Sequence, residues 1–305
     1  MSLHVFANFV TPFGTAANNR AETEGNITTL QKLLWQGETH STVSAEAIRF
    51  ALRRRLGAAE KTNRVWDEAL RSNVWQDHQF KGWASEKGVT FVDDDLLGYM
   101  IAEAAKEDGS DDGKGSATVR RAVLEITRAV SLTPWAGDVT FNAASPGATP
   151  SAQKKGSNPV PYGTEVHATR YQYGIALTPD RLRDKTRAAK AIDALCNLGT
   201  VAGNHGRFLF DFSPDAVVLR VTQDPAPRLL YCFDTTDDGK TVVSPKLLQR
   251  LAAEDLDPKE LIVGVSDLEC KLAADLKARQ VPVYGVKKAC EEAVKRITAE
   301  LKIKG

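Results

Sequence analysis

None of the four cysteines, Cys196, Cys232, Cys270 and Cys290, stands in a CxxC pair, and no histidine lies at metal-ligand spacing from any of them. That pattern argues against a structural zinc or a disulfide scaffold, and the four are expected as core thiols of a reducing compartment. No apolar run approaches about 18 residues, so no membrane-spanning helix and no membrane partner are expected. The opening MSLHVFANFV lacks a basic n-region and a small-residue cleavage site. It reads as a first strand, which places the chain in the cytoplasm. Neither GxGxxG nor GxxxxGK(S/T) occurs, although IVGVSD (Ile262 to Asp267) followed by a helix and VPVYG has the outline of a nucleotide fold. Net charge is missing as well: 40 Lys and Arg against 39 Asp and Glu leave +1. A nucleic-acid surface must therefore come from clustering and not from total charge.

What is present is an ordinary globular composition, 42% hydrophobic and 26% charged over 305 residues, enough for one large core or two small ones. The most informative stretch is TPFGTAANNRAETEGN, residues 11–26, between the apolar runs Leu3 to Val10 and Leu30 to Trp35. It is rich in Asn, Thr and Gly and poor in bulky apolar residues. Such a loop contributes no core, but its amide, hydroxyl and guanidinium donors suit phosphate oxygens. A helix is expected over Ser44 to Leu56, with Ser44 as N-cap and Ala45, Ile48, Leu52 and Leu56 inward. Arg49 and Arg53 lie four apart on one face, next to Arg54 and Arg55. They are either an RNA-contacting face or a solvated one.

Residues 60–116 change character. They hold Trp66, Trp75 and Trp83, the acidic trio Asp93, Asp94 and Asp95, and the link DGSDDGKGS from Asp108 to Ser116. We expect an inserted, partly helical subdomain with the tryptophans in its core, the acids on solvated surface and the link flexible. Residues 1–59 and 117–305 then form one discontinuous body. The β-branched, basic stretch Val119 to Thr133 precedes a proline-rich segment, Pro134 to Tyr162, with Lys154 and Lys155 near its middle. That segment is expected as a protruding arm. Phe141 either wedges beside a ligand or packs the base of the arm. Further on we expect a strand from Thr164 to Leu177, a helix from Arg181 to Ala202 and a polar turn at Asn204, His205 and Arg207. Strands at Phe208 to Phe212 and Ala216 to Thr222 are expected to join through Ser213-Pro214-Asp215. A strand at Leu229 to Phe233, a helix from Pro245 and a helix capped by Ser266-x-x-Glu269 complete the reading, with a charged last helix after it.

The segments NNRAETEGN, VSAEAIRFALR and GNHGRFLFDFSPDAVVLR together resemble the DevR-type family of CRISPR-associated proteins, the backbone subunits of type I-B Cascade-like surveillance complexes. The resemblance covers most of the chain and is weakest in residues 60–116 and the last 60 or so. It implies an α+β fold with a modified RRM or ferredoxin-like core as palm, an inserted helical finger region (60–116) and a thumb hairpin at 134–162. It also implies copies stacking into a homo-oligomeric filament along the crRNA guide, each thumb displacing one base. Target DNA paired to the guide and the other Cascade subunits (the one capping the guide's 5′ end, the large and the small) are the remaining partners.

Contacts that ignore sequence go to phosphate and ribose. The candidates are Asn18, Asn19, Arg20, Asn26, Ser44, Arg49, Arg53, Phe141, Lys154, Lys155, Asn204, His205 and Arg207. No catalytic residue, metal or cofactor is expected. His205 lacks an evident nucleophile or acid partner, so a turn hydrogen bond or a ribose contact suits it better than catalysis. Related ribonucleases use a glycine-rich C-terminal loop, where this chain has a Lys/Glu helix. Asp138 is the nearest thumb-side candidate for a cleaving aspartate, with no recognisable partner. The family's autoregulator label raises control of its own operon as an alternative, but no helix-turn-helix is evident.

Overall fold

The computed structural model describes residues 2–18, 22–102, 117–147, 160–201, 208–236 and 239–303. The first strand, His4–Val10, is apolar on both faces because it lies mid-sheet between two cores. Val5, Ala7 and Phe9 point to one core, while Phe6 and Val10 point to the other. Nine strands form this sheet. Its order runs Val283–Gly285, Leu261–Val265, Ala216–Thr222, His4–Val10, Tyr171–Leu177, Ala129–Ser131, Glu38–Val43, Lys32–Trp35, and Leu124–Ile126 also pairs with Tyr171–Leu177. The pairings are antiparallel except Leu261–Val265 with Val283–Gly285.

One face is covered by helices α1 (Ala45–Leu56), α2 (Val92–Leu97), α3 (Arg187–Cys196) and α6 (Val286–Glu300). The other carries α4 (Pro245–Ala252) and α5 (Lys271–Lys277). The α+β class expected from the sequence agrees with the mixture of sheets and helices observed. At Gly264 an added Cβ would stand 2.8 Å from Ala289 Cβ, so that glycine lets α6 lie directly on the strand. No helix among the described residues is long and apolar enough to cross a membrane.

Helix α1 follows its expected pattern: Ser44 Oγ accepts the Ala47 N–H, and Ile48, Ala51, Leu52 and Leu56 are buried, with Ala45 half-buried. Several other elements differ from expectation, each for a local reason. The helix expected from Arg181 starts only at Arg187, because the Asp95 carboxylate takes the backbone N–H groups of Arg183 and Asp184 and holds that segment out of helical hydrogen bonding. Phe208 to Phe212 forms no strand; Phe210 and Phe212 turn into the core against Tyr171, and Phe212 also meets Tyr173. Leu229 to Phe233 is irregular, with Tyr231 at φ 53°. Buried amides pin it: Tyr231 N donates to Asn8 Oδ1, and Gln172 exchanges hydrogen bonds with Phe233. Ser266 does not cap α5, since its hydroxyl donates to Asp215; Cys270 occupies the cap instead.

Two thiol expectations also change. Cys196 and Cys290 are joined as a disulfide where α3 and α6 pack side by side, with Cα atoms 6.4 Å apart. Cys232 remains a buried thiol, pushed up to about 12 by burial, and Cys270 is half-buried.

In 60–116 the structure has a hairpin, Arg64–Asp67 with Ser72–Trp75, then α2, then Tyr99–Ala102 paired with Ala117–Arg120. The acidic trio sits on α2 and is buried, contrary to the solvated placement expected. A helix of six residues with three acids survives there because each carboxylate finds donors. Asp93 accepts from Asn63 N, Arg64 N and Arg53 Nε; Asp94 accepts from Asn63 Nδ2; Asp95 accepts from Arg120 and Arg187. Val92, Leu96 and Leu97 flank them and enter the main core. Trp66, Trp75 and Trp83 are half-buried, with Trp83 held between the guanidinium groups of Arg120 and Arg183. The link from Asp108 to Ser116 lies outside the described residues.

Candidate nucleic-acid interface

A second sheet joins two sequence candidates. Val139–Ala144 pairs antiparallel with Val160–Glu165, and this hairpin is the root of the proline-rich arm. Ile27–Thr28 runs parallel beside Val160–Glu165, and Thr23–Glu24 pairs on its outer side. The polar loop of the sequence is thus stitched to the arm. Asn26 O accepts the Gly163 N–H at 3.0 Å, and Asn26 Nδ2 donates to Pro161 O at 3.3 Å. Phe141 faces Gly163 across the hairpin and is 79% exposed, so it stands on the surface and does not pack the arm's base.

The arm root is held firmly. Glu165, buried, accepts from Leu30 N at 2.7 Å and from Lys32 Nζ at 2.8 and 2.9 Å. Lys32 also lies 4.2 Å over the Trp135 ring, and Trp135 Nε1 donates to Val166 O. Gly163 lets this sheet close, since an added Cβ would meet Ile27 Cγ1 at 2.9 Å and Val139 Cγ1 at 3.1 Å.

The other gathering of candidates is the N-terminal end of α1. Asn18 is buried; its Nδ2 donates to Thr42 O at 2.6 Å and its carbonyl accepts Gln31 N. Asn18 therefore fixes where the loop leaves the body, and its side-chain donor is already engaged. Ser44 is buried and engaged as the helix cap. Arg49 is half-buried, and its Nε is buried without a hydrogen-bond partner among the described residues. Beside it the Glu46 carboxyl lies below its ordinary range, held first by its own backbone N–H, with the Ser44 hydroxyl and the charges of Arg128 and Arg49 in support.

Arg53 has a different employment: its Nε donates to Asp93 at 3.1 Å. Burial lowers the Arg53 pKa while Asp93 works against that shift. Asn19, Arg20, Lys154, Lys155, Asn204, His205 and Arg207 lie outside the described residues.

Sequence reasoning missed two participants. Exposed Arg128 donates to Thr42 Oγ1 at 3.2 Å, at the mouth of α1. Its signal was the basic, β-branched stretch Val119 to Thr133, which gave no hint of which arginine reaches the helix. Behind the surface, Ser41 Oγ bridges His167 Nδ1 and the Tyr171 hydroxyl, each at 2.7 Å. Burial, with the field of His40, pushes His167 down to about 4, so it is neutral and structural at physiological pH. No cluster of three or more His, Cys, Asp or Glu is placed to hold a metal ion among the described residues. What the surface offers is donors, cations and the exposed rings of Phe13 and Phe141, a set suited to gripping a phosphodiester chain.

Comparison with known proteins gives a consistent picture. Residues 11–183 match the family model described as CRISPR-associated negative auto-regulator DevR/Csa2. A protein of Myxococcus xanthus (strain DK1622), named CRISPR-associated protein Cas7/Cst2/DevR, is 59% identical over 306 residues, covering 99% of this chain and all of that one. Among solved structures, a chain of a "CRISPR RNA-guided surveillance complex, pre-nicking" superposes with a TM-score of 0.58 at 15% identity, covering 96% of this chain and 100% of its own length. A chain of another CRISPR RNA-guided surveillance complex gives 0.56 at 14%, covering 96% and 99%. At such identities the structural likeness speaks to fold.

Proposed function

The chain belongs to the DevR/Csa2 family of CRISPR-associated proteins, and from that membership we propose that it is the backbone subunit of a type I-B Cascade-like surveillance complex, polymerising along a crRNA guide. The observation that carries this reading is the 59% identity to a Cas7/Cst2/DevR protein across the full length of both chains. The surface chemistry supports it. A subunit that holds any guide sequence grips phosphate and ribose and leaves base edges free for pairing.

In this reading the arm rooted at Val139–Ala144 and Val160–Glu165 is the thumb, and Phe141 stands where a displaced base passes. The mouth of α1, with Arg49 and Arg128, holds the guide backbone, and Arg20, Lys154 and Lys155 add charge from their flanking segments. Asn19, Asn204, His205 and Arg207 belong to the same proposed contact set. Each copy makes few contacts, so affinity grows by repetition along the strand. Partner subunits cap the guide and recruit the rest of the machinery, and target DNA pairs to the exposed bases. The chain cuts nothing itself. The core we read as a modified RRM palm, with residues 60–116 as the finger insertion.

Co-expression with a CRISPR transcript tests this. Long RNA-laden oligomers, with regular nuclease protection of the bound RNA, are the expected product. Discrete RNA fragments would point to a ribonuclease. A shift of one promoter duplex by RNA-free protein would favour the autoregulator named in the family description.

A further inference from the structure

Helices α3 and α6 pack side by side, and with the C-terminal end of α1 they line a groove of about 680 Å³. That volume lies in the range of small-molecule sites, about 300 to 1,000 Å³. Leu56, Ala194, Val286 and Val294 supply its apolar lining, and both halves of the Cys196–Cys290 disulfide belong to it as well. The cysteines are only 8% and 5% exposed. A reagent that reaches their sulfurs in the folded chain therefore comes through this groove. The remaining lining is charged. Lys190 is held by Glu60 at 2.7 Å, Glu291 lies 3.6 Å from Lys288, and Asp193 accepts from Asn197. Arg55 and Lys287 are exposed and form no ion pair among the described residues. An apolar groove with two unanswered cations and a disulfide in its wall suits a small thiol that carries carboxylates.

The sequence leads us to expect a reducing compartment, where disulfides are usually transient or redox-sensing. We propose that the groove binds a low-molecular-weight thiol of the glutathione class, which exchanges with the Cys196–Cys290 bridge and so ties or unties α3 and α6. Arg55 and Lys287 receive its carboxylates. The thiol loses its proton to water, and its thiolate attacks Cys196 Sγ. The bridge breaks, a mixed disulfide forms on Cys196, and Cys290 leaves as a thiolate that takes a proton from water. A second thiolate then attacks the small molecule's own sulfur. Cys196 leaves and is protonated, and the two small thiols depart joined as their disulfide, having supplied the two electrons. The direction of attack follows from position. Cys196 is the last residue of α3, where the helix dipole disfavours an anion. Cys290 has Lys287 three residues before it on α6, which favours a thiolate there, and the more stable thiolate leaves faster. No step involves RNA, so the exchange stands apart from the backbone-subunit reading.

The test follows reduction of the oxidised full chain by glutathione and by uncharged 2-mercaptoethanol, in wild type, R55A/K287A and R55K/K287R. A short peptide with an exposed disulfide gives the intrinsic reactivity of each thiol. The wild-type rate should rise in proportion to thiol concentration. Relative to the peptide, glutathione should gain several-fold over 2-mercaptoethanol. That gain should fade between about 20 and 500 mM salt, vanish in R55A/K287A and persist in R55K/K287R. After an alkylating quench, peptide mass mapping should find the glutathione adduct on Cys196 and the alkyl group on Cys290. A rate that ignores thiol concentration would mean that the bridge opens only on global unfolding, and would overturn the proposal. So would a glutathione gain unchanged in R55A/K287A, an adduct on Cys290, or four free thiols in protein never exposed to reductant. Reduction by a thioredoxin-class dithiol protein where glutathione fails would also overturn it, since the groove would then serve no small molecule.

Discussion

Arg53 Nε donates to Asp93 Oδ2 at 3.1 Å, with the arginine side chain 12% exposed and the aspartate 1%. One turn earlier, Arg49 is half-buried on the same helix and forms no salt bridge among the described residues. Two arginines that look alike in sequence thus differ in role. Arg53 ties α1 to α2, whereas Arg49 makes no such tie among the described residues.

The first prediction separates them. Arg53→Ala should cost about 3 kcal/mol of stability, the lower end for breaking one side of a buried pair, because Asp93 keeps the Asn63 and Arg64 N–H donors but loses its paired cation. Arg49→Glu, which breaks no salt bridge among the described residues, should lower the unfolding free energy from urea denaturation by less than Arg53→Ala does, and should strip RNA from the purified protein. Denaturation curves and RNA content of both variants check this. Equal stability losses would show that Arg49 is structural too.

Asp94 supplies a pH dependence. Burial first, and the neighbouring Asp93 charge second, push its carboxyl up to about 7 from 3.8. Between those values the folded protein holds a proton that the unfolded chain has released, so stability falls as pH rises through the window. Asp94→Asn, which keeps an acceptor for Asn63 Nδ2, should flatten that slope and melt higher than wild type at about pH 8. Parallel wild-type and variant melting profiles across the window would assign the proton elsewhere.

The Cys196–Cys290 bridge spans 94 residues of sequence. In the chain-entropy model a loop of that size stabilises by about 4 to 5 kcal/mol. Oxidised protein should therefore melt well above reduced protein, and Cys196→Ser should melt at one temperature with or without dithiothreitol. Thiol titration that finds four free thiols under non-reducing conditions would remove the bridge from the account of stability.

At the arm, Phe141→Ala should change stability by less than about 0.5 kcal/mol, given its exposure, while blurring the spacing of nuclease protection on bound RNA. Gly163→Val should cost about 1 to 3 kcal/mol by overpacking against Ile27 and Val139, and should open the arm root to limited proteolysis. A sharp, unaltered footprint in Phe141→Ala would take the arm out of RNA spacing.

Much of this was legible in the residues. The first strand at His4–Val10, the Ser44 cap and the inward stripe of α1 obey local rules, and the structure follows them, with the strand buried on both faces. What was hidden depends on distant partners. DDD at Asp93 to Asp95 reads as surface until three segments supply Arg53, Asn63 and Arg187. The helix expected from Arg181 loses its first turns to Asp95, 88 positions earlier. Leu229 to Phe233 has strand composition, yet Asn8 and Gln172 capture its backbone. The adjacency of Asn26 to the arm arises from a parallel pairing that no local pattern encodes.

The most direct measurement is nuclease footprinting of RNA co-purified with the full chain, read alongside electron micrographs of the same sample. A filament of repeated protomers with evenly spaced protection is the predicted result. Compact particles that carry no RNA, from cells rich in CRISPR transcripts, would contradict it.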